Sequence, residues 1–416
     1  MNAPLRLAET TPPEALLLEG ARVLLDDRIE PVSLRLEGGV IAALDGPAEG
    51  ARRLDARGLL IAPAMIDIHG DAFERQLMPR PGVMLPTEAA MLETDRQLGA
   101  NGIATAYHAL SLSWEPGLRS VETGWEVLET LRRLAPRLTV ENRLQLRWET
   151  FCFEAVPLIE AALEGPLAPA IAFNDHTTMA LLHPGTALQN RPFDHDPAFP
   201  VVDMESPAFL AKMDKRAQRA DMSPSDYVAA LRQIWQRRPE VLAVIEAVAQ
   251  KGRASGVAML SHDDSQPETR AFYHRAGARI SEFPMNHPTA RAARAAGDFI
   301  IFGAPNAARG GSHLGSPGAA EMIREGLCDI LASDYYYPAM LAAVARLRAD
   351  GVAALPELWK LVAANPAAAL GLADRGRIAP GLRADLVAVD WPEAGTPAVR
   401  ATFVAGRPAY LAQALG

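Results

Sequence analysis

Residues 59–71 read LLIAPAMIDIHGD, an apolar run of strand length that ends in a histidine and an aspartate. A continuous apolar run is typical of a strand that is buried on both faces of a parallel sheet. Seven further runs alternate with helical stretches: GIATAYHALSL, LQLRWETF, AIAFNDH, GVAMLSH, ARISEFP, FIIFGAP and CDILASD. Eight strands, each followed by a longer connection, predict an α/β fold with a TIM-like (β/α)8 barrel, which typically takes ~250 residues. A doubly wound open sheet is the alternative.

The two ends of the chain share a different pattern. Residues 16–57 and 376–410 read as short strands separated by Gly, Asp and Pro turns, which is typical of antiparallel sheets. Since neither end can close a sheet alone, we predict one small β-sandwich domain of residues 1–58 and 375–416. The barrel is then predicted for residues 59–374, and a chain of 416 residues is long enough for both.

Composition and charge exclude several classes of protein. Hydrophobic residues make up 49% of the chain and charged residues 22%, which argues for a globular protein. The net charge of −9 disfavours nucleic acid as a partner, because no long-range positive field gathers phosphates. No signal sequence or membrane span is recognisable, and the two cysteines, Cys152 and Cys328, fit a reducing compartment. We expect a cytoplasmic protein without membrane partners, and a homo-oligomer is left open.

Metal-competent side chains follow five of the predicted strands at the point where each strand ends. They are His69, Asp71, Glu149, His176, His262 and Asp334. Because the carboxyl ends of barrel strands converge on one face, these side chains are expected to meet in one mouth. Imidazole and carboxylate together suit zinc, with manganese or iron as alternatives. Any single histidine is more often a hydrogen-bonded structural residue, so the joint placement carries the prediction of a site for one or two divalent ions.

The connection from His176 to Gly256 is the longest between predicted strands. Its segment 187–225 is either an active-site lid or a surface insertion. Four basic residues within it fall at helical spacing: Lys212, Lys215, Arg216 and Arg219. They could reach a polyanion, although a solvated charged face is the commoner explanation.

The strand-end segments DIHGD, NDHT, SHDD and ASD, with GRIAPGLRADLVAVD near the C-terminus, resemble the amidohydrolase superfamily. The resemblance covers nearly the whole chain. It implies a metal-dependent hydrolase in which the six residues above hold one or two ions, with a late aspartate, Asp334, beside the nucleophile.

Two departures from the superfamily pattern concern the ligands. Asp71 replaces the second histidine of the commoner H-x-H motif. The usual carboxylated-lysine bridge has no counterpart, because all the lysines lie in helical, polar contexts: Lys212, Lys215, Lys251 and Lys360. Glu149 is therefore the predicted bridge, and an ion pair of Glu149 with Arg147 or another cation is the alternative.

Longer segments resemble one branch of the superfamily, the α-D-ribose 1-methylphosphonate 5-triphosphate diphosphatases of the carbon–phosphorus lyase pathway. They are DIHGDAFERQLMPRPGV, LSHDDSQPETRAFYHRAGARISEFP, GAPNAARGGSHLGS and LASDYYYP. The resemblance implies cleavage of a triphosphate with release of diphosphate. Two stretches depart from the branch: TTMALLHPGT after His176 lacks its polar, basic phrase, and EFPMNHPTA adds His287 near the predicted mouth.

Under this resemblance, Asp334 orients the nucleophile and moves its proton, and His313 donates to the leaving group. Residues predicted to contact substrate phosphate are Arg75, Arg80, Arg309, Gly310, Gly311 and Ser312. Arginine forks match phosphate oxygens, and glycines let backbone N–H groups approach them. The alternative is that Arg75 and Arg80 pair with Glu74 or Asp71 and that the glycines only form a turn.

Three functions remain open from the sequence. The first is a metal-dependent diphosphatase acting on a phosphorylated small molecule. The second is hydrolysis of a cyclic amide or N-acyl carbon–nitrogen bond at the same metal centre. The third is a non-catalytic binding subunit braced by metal, which Asp334 disfavours because a structural site has little need for a general base.

Overall fold

The computed structural model describes residues 15–311, 315, 317–393 and 395–412. Within these residues there are eighteen strands: β1 Ala15–Glu19, β2 Arg22–Leu24, β3 Ile29–Pro31, β4 Leu34–Glu37, β5 Val40–Leu44, β6 Arg52–Asp55, β7 Leu59–Pro63, β8 Met65–Gly70, β9 Ile103–Leu112, β10 Glu141–Glu149, β11 Ala170–Asn174, β12 Met259–His262, β13 Ile280–Glu282, β14 Phe299–Gly303, β15 Ile330–Ala332, β16 Leu386–Asp390, β17 Ala398–Val404 and β18 Arg407–Leu411.

The same residues form fifteen α-helices: α1 Glu74–Leu77, α2 Thr87–Ala100, α3 Val121–Leu134, α4 Val156–Leu163, α5 His176–Ala180, α6 Pro207–Arg219, α7 Pro224–Trp235, α8 Arg238–Ala254, α9 Pro267–Ala276, α10 His287–Ala295, α11 Ala304–Arg309, α12 Ala319–Arg324, α13 Ala339–Ala349, α14 Leu355–Lys360 and α15 Ala364–Ala369. No helix in this described part of the chain is long and apolar enough to cross a bilayer.

Strands β8 to β15 pair in sequence order as one eight-stranded parallel sheet. A parallel bridge between Gly70 and Asp334 joins the first strand to the segment after the last one, so the sheet closes. Apolar side chains from seven of the strands fill its interior, among them Ile68, Leu260 and Ile280. The predicted (β/α)8 barrel is confirmed, and the open doubly wound sheet is wrong.

The first predicted run, residues 59–69, divides at Ala64. Its first half is β7, which pairs with β2 and β16 in another sheet, and only its second half, β8, enters the barrel. The prediction of one strand here was wrong, because burial in two successive sheets leaves no change in apolar pattern at the boundary.

Strands from both chain ends form two further sheets. One has the order β5-β4-β1-β6, and the other has the order β18-β17-β16-β7-β2-β3. Side chains of both sheets pack into one core, including Leu18, Leu36, Leu386 and Phe403. This packing confirms that the two ends combine into a small β-sandwich, while the division into domains at residues 58 and 375 stays a prediction.

The segment 187–225 is fastened to the barrel through buried polar contacts. The guanidinium of Arg191 pairs with Asp194 at 2.6 Å and donates to the carbonyl of Asp263 at 2.8 Å. In α6, the Lys212 ammonium donates to the carbonyls of Ala180 and Leu182 at 2.9 and 2.8 Å, where α5 ends. The Lys212 ammonium therefore has backbone carbonyls as partners, which differs from both sequence-based alternatives, a solvated charged face and a site for a polyanion. The side chain of Arg219 lies outside the described part, and a lid role for the segment stays a prediction.

A partly buried ion network joins the barrel to the C-terminal strands. Glu141, at the start of β10, accepts hydrogen bonds from Arg375 at 2.6 Å and from Arg383, both of which precede β16. Burial raises the pKa of Glu141, but the two arginines more than reverse this and lower it from 4.5 to about 2. A depressed carboxyl pKa stabilises the folded state above pH 4.5, and this contribution is lost as the pH falls towards 2.

We expect Glu141→Gln to lower the free energy of unfolding at pH 7 by about 1–3 kcal/mol, because two arginines lose their counter-charge. Denaturant titrations at several pH values measure this difference. It should shrink as the pH falls from 4.5 towards 2, where the wild-type carboxylate also protonates. The exposed Glu49→Gln change serves as the control, and a difference that does not depend on pH would contradict the assignment.

Candidate metal centre

The register of β12 against β13 places two ligand-type residues side by side. Leu260 lies opposite Ile280, and His262 lies opposite Glu282. Leu260 and Ile280 point into the barrel core. Because side chains two residues apart share a face of a strand, His262 and Glu282 lie on the same inner face, at the carboxyl ends of their strands.

His69, His262 and Glu282 form a buried group in which one ligand atom from each lies within 4.8 Å of the others. His69 Nδ1 is 3.0 Å from Glu282 Oε1, and His262 Nε2 is 3.8 Å from Glu282 Oε2. Burial lowers the pKa of His69, but the Glu282 carboxylate more than reverses this and raises it to about 9. Glu282 Oε2 is buried without a hydrogen-bond partner among the described residues. This donor set fits a divalent cation that takes imidazole and carboxylate ligands.

A second group shares His69 and adds Asp71 and Asp334, again with ligand atoms within 4.8 Å of one another. The backbone fixes these residues, because Asp71 N donates to the Asp334 carbonyl and Asp334 N donates to the His69 carbonyl, both at 2.9 Å. Asp334 has a φ of 55°, a left-handed conformation that is uncommon outside glycine and recurs at functional sites. The two adjoining groups can accommodate one or two ions.

Glu149 and His176 lie next to these groups and contact each other. The Glu149 carboxylate accepts from the His176 backbone N–H at 2.8 Å, and its Oε1 is 2.7 Å from His176 Nδ1. Burial raises the pKa of Glu149, but His176 more than reverses this and lowers it to about 2. The His176 and His262 rings are 6.3 Å apart. The structure therefore brings all six predicted ligands to one mouth, while the bridging role of Glu149 stays a prediction.

Helix α5 holds His176 at its first position. The Asp175 carboxylate accepts from Thr178 N at 2.7 Å and caps the helix start. At the other end, Lys212 satisfies carbonyls that would otherwise lack donors. Burial and then the charge of Arg216 lower the pKa of Lys212 to about 8. The segment 187–225 thus contacts, through Lys212, the C-terminal end of the helix that begins with His176.

The predicted substrate-binding residues that the structure describes are more exposed than the predicted metal ligands. Arg75 is exposed and lies over the Tyr335 ring at 5.7 Å, directly beyond Asp334. Arg80 and Arg309 are exposed, as are Gly310, with a φ of 87°, and Gly311. Ser312 and His313 lie outside the described residues. Phosphate contact by any of these residues stays a prediction.

Two expectations about ion pairs in this region are corrected. Glu74 forms its ion pair with Arg119 at 2.8 Å, and not with Arg75 or Arg80. The guanidinium that lies beside Asp71 is that of Arg147, at 3.8 Å. His287 faces Glu321 and Glu325 at 3.4 and 3.5 Å. This group contains none of the six predicted ligands.

Sequence reasoning missed Glu282 as a candidate ligand and treated Arg147 only as a counter-ion. The available signal for Glu282 was the motif ISEFP, since Glu282 ends the sixth strand as His262 ends the fifth. Gln145 was also missed, although its amide donates to Glu282 Oε1 at 2.7 Å. Their placement depends on strand register, which the apolar runs alone do not reveal.

An eight-stranded parallel barrel with buried imidazoles and carboxylates at the carboxyl ends of its strands defines a class of metal-dependent hydrolases. Residues 170–410 match the family described as "Amidohydrolase family", and the chain belongs to the amidohydrolase superfamily. It is also 31% identical over 395 residues to the α-D-ribose 1-methylphosphonate 5-triphosphate diphosphatase of Escherichia coli strain K12. That similarity spans 89% of this chain and 94% of the relative.

Solved structures share the fold at low sequence identity. Phenylurea hydrolase B has a TM-score of 0.61 at 14% identity, covering 95% of this chain and 96% of its own. Molinate hydrolase has a TM-score of 0.59 at 13% identity, covering 95% of this chain and 94% of its own. At these identities the likeness supports the fold alone.

We expect Glu282→Gln to weaken metal binding by at least ~100-fold, because an amide replaces a buried anionic ligand. Metal content after dialysis, measured by inductively coupled plasma mass spectrometry, checks this expectation. Glu268→Gln, an exposed change in the first turn of α9, is the matched control and should keep wild-type content. Full metal occupancy in Glu282→Gln would exclude Glu282 as a ligand.

Proposed function

We propose that the chain hydrolyses the triphosphate of α-D-ribose 1-methylphosphonate 5-triphosphate, or of a related phosphorylated substrate, and releases diphosphate. The observation that carries this proposal is the 31% identity that extends over 94% of the Escherichia coli diphosphatase. The buried histidine and carboxylate groups support it, because phosphoryl transfer requires cations beside the attacked phosphorus.

When bound, divalent cations lower the pKa of water and neutralise charge on phosphoryl oxygens. In the proposed reaction a water oxygen bonds to the α-phosphorus. The bond from the α-phosphorus to the oxygen that it shares with the β-phosphorus breaks. Diphosphate leaves with the electron pair of that bond. Asp334 accepts the proton of the attacking water, and His313, outside the described residues, is proposed to protonate the leaving group.

The environment of Asp334 suits a proton acceptor. Its carboxylate lies in one group with His69 and Asp71. Burial raises the pKa of Asp334 from 3.8 to about 6, which makes this carboxylate a stronger proton acceptor than an exposed aspartate. Hydrogen bonds from Asp334 N to the His69 carbonyl and from Asp71 N to the Asp334 carbonyl hold the left-handed backbone of Asp334 beside these two residues.

Phosphorus NMR with ribose and nucleoside triphosphates tests the proposed reaction. We expect the metal-loaded protein to form diphosphate and the monophosphate product in equal molar amounts. The diphosphate signal, which comes from two equivalent phosphorus nuclei, should therefore have about twice the area of the monophosphate signal. Release of inorganic phosphate alone would contradict cleavage at the α-phosphorus. If the triphosphates stay intact while cyclic amides or N-acyl substrates are hydrolysed, the carbon–nitrogen alternative is correct instead.

We expect Asp334→Asn to lower kcat by ~10² to 10⁴-fold, because the amide cannot accept a proton. Steady-state assays of diphosphate release measure the loss, and metal content measured in parallel separates proton transfer from ligand loss. The control Asp350→Asn removes an exposed carboxylate from the end of α13. Wild-type turnover in Asp334→Asn would exclude the proposed role.

A further inference from the structure

Arg147 places a permanent positive charge inside the mouth. It lies on β10, whose apolar residues Leu144, Leu146 and Trp148 pack outside the barrel. Gln145 contacts the carbonyl of Ile68, in the barrel interior. Strand periodicity therefore directs Arg147, two residues farther on, to the inner face beside the ligand groups. Its side chain is only 8% exposed.

The guanidinium of Arg147 lacks a close partner among the described residues. Its Nε is buried without a hydrogen-bond acceptor. Its ion pair is with Asp71 Oδ2 at 3.8 Å, which is too long for a hydrogen bond. By contrast, the buried Arg191 pairs with Asp194 at 2.6 Å. Arg147 is thus buried with an unsatisfied Nε–H and without a close ion-pair partner among the described residues.

Two other carboxylates of the mouth accept hydrogen bonds from residues other than Arg147. Glu149 accepts from His176, and Glu282 accepts from Gln145. A structural counter-ion would be expected to pair closely with one of them, because burying an incompletely paired charge costs several kcal/mol. The unsatisfied donors are those expected of a residue that receives an anionic ligand.

Geometry places Arg147 beside the candidate cation positions. Its guanidinium contacts Asp71 of the second ligand group. That group shares His69 with the first group. An anion held by Arg147 would therefore also lie next to both candidate cation positions.

We propose that Arg147 is a phosphate-binding residue that holds the triphosphate of the substrate through its guanidinium fork, alongside the metal centre. This inference rests on the proposed function. Two parallel N–H donors match two oxygens of one phosphoryl group. The chain has a net charge of −9, so a polyanionic substrate needs such a local cation. A neutral amide substrate would gain nothing from it.

Calorimetric titration of the metal-loaded protein with inorganic diphosphate tests the inference. We expect Arg147→Met to bind diphosphate roughly 10- to 100-fold more weakly, since a hydrogen bond to a charged group is lost. Arg147→Lys keeps the charge but not the fork, and should recover only part of the affinity. Metal content should stay at the wild-type level in both variants.

Arg143→Met is the matched control. Arg143 lies on the same strand as Arg147 and faces the same interior, but at the opposite end of the strand. Its guanidinium donates to the Tyr107 hydroxyl at 2.9 Å. This variant should bind diphosphate like the wild type. Equal loss in Arg143→Met and Arg147→Met would show a general charge effect and overturn the inference.

Further outcomes separate this inference from the proposed function. If the wild type cleaves triphosphates and Arg147→Met binds diphosphate with unchanged affinity, only the role of Arg147 is wrong. Loss of metal in step with affinity would equally overturn direct phosphate contact. If Arg147→Met does not fold, the Arg147→Lys variant decides. Wild-type affinity of this variant for diphosphate would exclude binding through the two N–H donors of the guanidinium. If the wild type neither binds diphosphate nor cleaves triphosphates, the proposed function fails and this inference fails with it.

Discussion

Burying two imidazoles and a carboxylate against one another is the constraint on which the site depends. His69, His262 and Glu282 come from three different strands, yet their ligand atoms lie within 4.8 Å of one another. Removing such groups from water is costly unless each is paired or bound to a cation. Barrel closure supplies the geometry, because the carboxyl ends of the strands can converge only where the sheet is complete.

Contacts behind the mouth keep these residues in position. Gln145 donates to Glu282, and the Asp263 carboxylate lies 3.3 Å from His262 Nδ1. Arg191, in the segment 187–225, donates to the carbonyl of Asp263, the residue that follows His262. Lys212 closes the helix that begins with His176. The longest connection between barrel strands therefore contacts the segments that follow two ligand-bearing strands.

Much of the fold could be read from the sequence, since eight apolar runs and two turn-rich ends correspond to the observed sheets. The division at Ala64 could not be read, because the apolar run continues from β7, which is buried from Leu60 onwards, into the fully buried β8. The six strand-end residues from His69 to Asp334 were recognisable as polar side chains after buried runs. Glu282 carried the same signal at the end of ARISEFP and was overlooked. Arg147 lies inside a strand, and its inward orientation depends on register and on the contacts of neighbouring strands.

The central claim is that His69, His262 and Glu282 hold a cation on which hydrolysis depends. Anomalous X-ray scattering from crystals of the metal-loaded protein tests this claim most directly. We expect a peak about 2.0–2.3 Å from ligand atoms of all three residues, with a second peak near Asp71 and Asp334 if two ions bind. An anomalous peak found only at the surface group of His287, Glu321 and Glu325 would contradict the account.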